Sequence, residues 1–286
     1  SEIKRYEFVT FHQSFSYEDF IEGIKPNFDD EANDLSYSIQ DGVFKKICLK
    51  ARKDPDQNYA IFIDEINRGN VSQIFGELIT LIEEDKREGE KNELQSILPY
   101  SKTSFSVPPN LYIIGTMNTA DRSIEALDTA LRRRFSFIEM PAKHDLIKTQ
   151  GKVPDGILND IDLADLLKII NKRIEKLIDK DHMIGHSYFL NISNLKGLKT
   201  SFQNKIIPLL QEYFFGDYGK VGLVLGGGFF EITNDEAEDD FFAQFDDYDS
   251  SSLRERKIYH FKNVIKMSDS DFIRTISTLL NKKLID

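Results

Sequence analysis

Two adjacent carboxylates, Asp64 and Glu65, follow directly on an uninterrupted apolar run, Tyr59-Ala-Ile-Phe-Ile63. Such a run lacks the alternation of a half-buried strand and predicts one covered on both faces of a parallel sheet. The acids would then stand at its carboxyl end, where open α/β sheets bind their ligands. There one carboxylate can hold Mg2+ through water while its neighbour polarises the water that attacks a γ-phosphate. The simpler use of the same pair is to cap the next helix. A second apolar run, 110–118, ends in an amide, Asn118. It leads into a short amphipathic helix with Ile124, Leu127 and Leu131 on one face, closed by Arg132, Arg133 and Arg134. A basic helix end can also be no more than a solvated terminus favoured by the helix dipole. His182 and His186 have the i, i+4 spacing of a zinc helix. Met183 stands where the metalloprotease glutamate would be and Gly185 weakens a helix, so no zinc site is expected.

Strand then two acids, strand then amide, helix then arginines is the order of parts in an AAA+ motor. Four words sharpen the match: Phe-His-Gln-Ser-Phe-Ser-Tyr-Glu-Asp-Phe at 11–20, Asp-Glu-Ile-Asn-Arg at 64–68, Met-Asn-Thr-Ala-Asp-Arg-Ser at 117–123 and Ile-Gly-His-Ser-Tyr-Phe at 184–189. Over about 8–225 the sequence resembles the McrB family, the GTP-driven motor subunits of modification-dependent restriction systems. The resemblance implies that Asp64 organises Mg2+, Glu65 activates water and Asn118 holds that water in line. Arg134, or its neighbours Arg132 and Arg133, would reach the nucleotide of an adjacent subunit. Asp121 and Arg122 would position that arginine or the interface beside the nucleotide, and His186 and Ser187 would pack near it. The cofactors implied are Mg2+ and GTP, or ATP. The partners implied are further motor subunits in a homo-oligomeric ring, an McrC-like nuclease subunit and, indirectly, DNA.

One departure from the family bears on function. No Gly-x-x-x-x-Gly-Lys-Ser/Thr occurs in the 286 residues: Gly219-Lys220 is followed by Val221, and Gly226-Gly-Gly228 by two phenylalanines. The chain is therefore expected to be a motor fragment without its phosphate cradle, inactive alone. The alternative is a non-catalytic binding or assembly module.

The elements that must position these residues follow from periodicity. A strand is expected at 7–11, and Ser16 opens a helix carrying Phe20, Ile21 and Ile24. A helix over 42–53 would turn Val43, Ile47 and the core residue Cys48 inward and its lysines and arginines outward. Val71, Ile74, Phe75, Leu78, Leu81 and Ile82 predict one helix, closed by charged residues 83–87. An irregular polar segment follows to Pro109, and 136–140 reads as the last strand of the sheet. The expected fold is α/β: an AAA+ parallel-sheet module missing its first strand and phosphate loop (1–141), an all-helical lid (142–228) and a small C-terminal α+β extension (229–286) with an acidic loop at 231–249. Without that first strand, the strands at 110–116 and 136–140 should face a gap, close on each other or take in a foreign strand. Leucines and isoleucines from Leu163 to Ile178, and an apolar set from Phe202 to Phe214 interrupted at Pro208, make the lid helices. Strands at 229–233 and 257–261 should pair around the acidic loop, and Phe272, Ile276, Leu279 and Leu280 mark a last helix.

Composition narrows the class. No apolar stretch approaches the ~18 residues of a membrane span, and no signal-like amino terminus is present, so a cytoplasmic protein is expected. A single cysteine excludes an intramolecular disulfide framework. The net charge of −11 is mostly local, because nine acids lie between Glu231 and Asp249 with no Lys or Arg among them. Such a run is usually a solvated segment.

Overall fold

A computed structural model describes residues 4–29, 34–120, 129–233, 242–243 and 257–281. The chain divides into two compact units, Ser1–Ile138 and Glu139–Asp286.

In the first unit, β1 (Tyr6–Thr10) is followed by a single helical turn, α1 (Tyr17–Phe20), and an antiparallel hairpin, β2 (Glu22–Asp29) with β3 (Asp34–Asp41). The helix expected to carry Ile24 is thus cut short. Ile24 pairs with Ile39 across the hairpin, and the alternation Ile24-Lys25-Pro26-Asn27 facing Tyr37-Ser38-Ile39 has the period of a ribbon. Next comes α2 (Val43–Lys53), which buries Ile47 and Cys48 as expected. Its N-cap must be glycine, since a Cβ on Gly42 would lie 2.3 Å from the Phe20 carbonyl carbon. Lys45 departs from the expected outward basic face. It is buried and bonds both Glu22, itself fully buried, and Asp41 at 2.7 Å.

Then follow β4 (Tyr59–Asp64), α3 (Val71–Phe75), α4 (Leu78–Leu81), the small hairpin β5 (Ser96–Ile97) with β6 (Ser104–Phe105), β7 (Leu111–Gly115) and α5 (Thr129–Arg132). The predicted single helix over 71–82 is broken at Gly76, whose φ of +52° no helix accepts. Arg87, expected on an exposed end, turns inward and donates to the carbonyls of Ile82 and Leu111.

The sheet is parallel and three-stranded, in the order β1-β4-β7. One face, with Tyr59, Ile61, Ile63 and Leu111, is buried in a core that includes Phe20, Phe44, Ile47, Ile74 and Phe75. The other face leaves Tyr6, Phe8, Tyr112 and Ile114 at 51, 60, 54 and 44% exposure. The middle strand is therefore not covered equally on both sides, contrary to the expectation from its unbroken apolar run. Residues 136–140 form no strand, and Phe137, Ile138 and Met140 are exposed. Among the described residues the outer edge of β7 has no partner, and with no strand at 136–140 none of the three arrangements expected for that pair of strands, a gap between them, closure on each other or a foreign strand, is found.

The second unit is mostly helical. It contains α6 (Asp145–Gln150), the short hairpin β8 (Ile157–Leu158) with β9 (Ile161–Asp162), α7 (Leu163–Leu177), α8 (Ser187–Leu190), α9 (Leu195–Ser201), α10 (Ile207–Tyr213) and α11 (Tyr218–Leu225). A π turn, Phe202–Ile206, joins α9 to α10. Pro208 thus falls in a first turn, where its missing N–H is harmless, and the irregularity lies upstream of it. The expected C-terminal strands pair as β10 (Phe230–Thr233) and β11 (Ile258–Phe261), followed by α12 (Asp269–Leu279). Most of the acidic loop lies outside the described residues. Phe229, Phe272, Ile276 and Leu279 share one core with Leu166, Ile170 and Phe202, so this segment packs as part of the helical unit. Arg173 of α7 fastens it, donating to the Val224 and Leu279 carbonyls at 2.7 Å each and capping the ends of α11 and α12.

Candidate active site

Strand β4 delivers Asp64 and Glu65 to the carboxyl end of the sheet, and β7 delivers Thr116 and Asn118 beside them. The two segments are stitched together past the sheet proper. Thr116 N–H donates to the Ile63 carbonyl, and Ile66 N–H donates to the Thr116 carbonyl, each at 2.9 Å. The Thr116 hydroxyl donates to Asp64 Oδ1 at 2.5 Å, and Glu65 N–H points to the same hydroxyl oxygen at 3.4 Å. Asn67 Nδ2 donates to the Asn118 carbonyl at 3.5 Å. Glu65 itself is left-handed, with φ 52° and ψ 45°. A residue with a side chain costs roughly 1–2 kcal/mol in that region, a strain typical of functional positions and offset here by the stitching.

The resulting cluster is rich in acceptors. Glu65 Oε2 and Asn67 Oδ1 are buried atoms with no hydrogen-bond partner among the described residues. Arg68 Nε lies 3.3 Å from Glu65 Oε2, close enough for an ion pair but not aligned as a hydrogen bond. A buried acceptor without a donor costs about 1–3 kcal/mol, so these oxygens are suited to a donor such as water. Asn118 is complementary. Its Oδ1 accepts from Ala120 N–H at 3.1 Å, which fixes the amide oxygen and leaves Nδ2 as a donor. Two acceptors and one amide donor can orient a water molecule. Among the described residues no cluster of three or more His, Cys, Asp or Glu could hold a metal alone. A cation here would take a carboxylate plus waters and ligand oxygens, the mode suited to Mg2+ and not to zinc.

The arginines are not equivalent. Arg134 Nη2 pairs with Glu83 at 2.7 Å and its side chain is only 11% exposed, whereas Arg132 and Arg133 are exposed. The Arg132 guanidinium lies over the Phe137 ring, 5.6 Å from its centroid. Asp121 and Arg122 lie outside the described residues. In the helical unit, His186 precedes α8, and its Nδ1 accepts the Lys143 N–H at 3.2 Å, so the neutral ring carries its proton on Nε2. Ser187 begins α8. His182 is committed elsewhere: it is buried, 2.6 Å from Asp179, and its ring is edge-on to Tyr213. The bond from His182 holds the Asp179 carboxyl below its usual range. Sequence reasoning did not single out Thr116 or Asn67 as site residues. Their only signal was position, inside or beside the words at 64–68 and 117–123.

This arrangement can be set beside known proteins. Residues 3–135 match the AAA domain family of the dynein-related subfamily, and residues 162–222 match the McrB alpha-helical lid domain. The chain is 40% identical over 232 residues to the type IV methyl-directed restriction enzyme EcoKMcrB subunit of Escherichia coli (strain K12). The chain belongs to the McrB-family AAA+ proteins. That match covers 75% of this chain and 48% of the Escherichia coli protein, so the chain spans about half the length of this relative. The type II restriction enzyme BsuMI component YdiS of Bacillus subtilis (strain 168) is 27% identical over 280 residues, covering 85% of this chain and 80% of YdiS. The McrB-family assignment accounts for the architecture: an AAA-type parallel sheet ending in an acid pair and an amide, then a helical lid.

Proposed function

We propose that this chain carries the hydrolytic residues of a GTP-driven motor subunit that works with a separate nuclease subunit in modification-dependent DNA restriction. The observation that carries the proposal is the Glu65 carboxylate. It is held in a strained turn at the carboxyl end of the middle strand, with a buried oxygen that, among the described residues, has the Arg68 ion pair but accepts no aligned hydrogen bond. Such an oxygen suits a general base, taking a proton from water held between Glu65, Asn67 and Asn118 as the water approaches a γ-phosphate. Asp64, one oxygen engaged by Thr116, would hold Mg2+ through water by the other. When bound, Mg2+ supplies charge neutralisation on the phosphate oxygens.

GTP is proposed because the McrB family uses it. The restriction role is supported by the two relatives, both named as restriction enzyme components. No phosphate-gripping loop is present in the sequence, so the nucleotide site is complete only together with residues outside these 286. The same absence favours a second reading, a non-catalytic assembly module. Glu65→Gln in the full-length protein separates the two. Retained nucleotide binding with turnover reduced roughly 10²–10⁴-fold supports the motor. Unchanged turnover leaves the assembly module.

A further inference from the structure

Glu65 and Asp64 depend on one side chain to which the proposed function gives no part. The Thr116 hydroxyl has a single proton, and a carboxylate can only accept, so the 2.5 Å bond to Asp64 Oδ1 runs from Thr116 to the acid. That direction leaves a lone pair of the hydroxyl oxygen toward the Glu65 N–H. The hydrogen bonds therefore form one directed chain, from Glu65 N–H through the Thr116 hydroxyl to Asp64, in which each bond polarises the next.

The backbone of Thr116 does separate work. Its N–H and carbonyl complete the pairing between the strand ends, through Ile63 and Ile66, whatever the side chain is. Thr116 is also exposed, so trimming it opens no cavity in the core. The hydroxyl thus serves the acids and not the packing.

We propose that Thr116 is a positioning residue for nucleotide hydrolysis, its hydroxyl fixing the cation-facing carboxylate of Asp64 and the left-handed turn of Glu65 together. This rests on the motor reading above. Loss of the hydroxyl should free Asp64 to rotate and relax the turn that aims Glu65, weakening both the hold on Mg2+ and the activation of water.

The test uses the full-length protein with Thr116→Val, Thr116→Ala and Thr116→Ser, and Glu65→Gln as control. Binding of a non-hydrolysable GTP analogue is measured calorimetrically across a Mg2+ series, alongside turnover and melting temperature. Val and Ala should each raise the Mg2+ concentration for half-maximal binding and lower kcat, by roughly 10–100-fold, as is usual when the partner of a metal-holding carboxylate is removed. Melting temperature and KM at saturating Mg2+ should hold, and Ser should restore both losses. If Val fails to fold, Ala and Ser decide. A wild-type Mg2+ series in the hydroxyl-less variants, or a loss that Ser shares, overturns the assignment. If Glu65→Gln turns over normally, the motor reading itself has failed. If Glu65→Gln is inactive while the hydroxyl-less variants behave as wild type, only the role of Thr116 falls.

Discussion

At the scale of single residues, the arginine run shows how identical side chains are divided by their surroundings. Arg134 is drawn in by Glu83 while Arg132 and Arg133 face outward. A residue that stabilises the phosphate of a neighbouring subunit must be able to leave its own, which favours the exposed pair. In the full-length protein, Arg133→Ala should therefore lose turnover, and mixing it with Glu65→Gln should recover activity, because some mixed interfaces then carry both intact groups. Recovery across a range of mixing ratios, above the sum of the separate variants, is the expected outcome. Arg134→Ala should instead lower the melting temperature, because it leaves Glu83 without its partner. If Arg134→Ala is rescued by mixing and Arg133→Ala is not, these roles are reversed.

At the scale of elements, the β2-β3 hairpin is held to α2 by a buried charge cluster. Glu22 accepts from Lys45 Nζ at 2.7 Å and from the N–H groups of Tyr100 and Ser101 at 3.1 and 2.8 Å. Burial alone would raise the Glu22 carboxyl, but Lys45 and Ser101 more than offset it and hold it below the usual range. A depressed carboxylate adds stability above its unfolded pKa and loses it as pH falls through the folded one, so the hairpin should loosen in acid. Lys45→Met strands the buried carboxylate and should cost about 3–5 kcal/mol in urea denaturation at neutral pH. A loss under 1 kcal/mol would mean that the two backbone N–H groups suffice. The open face of the sheet is a second element-scale consequence. Tyr6 and Phe8 on β1 and Tyr112 and Ile114 on β7 are exposed on one face of a sheet whose two outer edges have no partner among the described residues, a combination that invites association. Phe8→Lys with Tyr112→Lys should reduce self-association of the 286-residue chain in sedimentation, and unchanged association would place the contact elsewhere.

At the scale of the whole molecule, the residues proposed for hydrolysis, with no phosphate-gripping motif in these 286 residues, predict a chain that folds but does not turn over nucleotide. The acid pair and the amide cannot replace the backbone N–H groups and lysine that grip β- and γ-phosphates. Calorimetric titration of these 286 residues with GTP and Mg2+ should show no binding in the micromolar range. Micromolar affinity would mean that the chain supplies a phosphate site of another kind. Among the described residues no helix is long and apolar enough to cross a membrane.

The parts legible in the sequence were those set by local chemistry and by period. An apolar run ending in Asp64 and Glu65 is a strand end wherever it occurs, and the spacing from Leu163 to Ile174 makes α7 amphipathic before any partner is known. The words at 64–68 and 117–123 likewise identified the family and the strands that meet at the site. What only the tertiary structure decided depends on a neighbour distant in sequence. Residues 136–140 have strand-forming side chains but pair with no strand among the described residues, and a β ladder forms only where a partner is brought alongside. Lys45 is buried because Glu22 and Asp41 wait for it, and Arg134 turns inward because Glu83 does. Thr116 became part of the site only when two parallel strands ended side by side, which brought its hydroxyl within 2.5 Å of an acid more than fifty positions earlier.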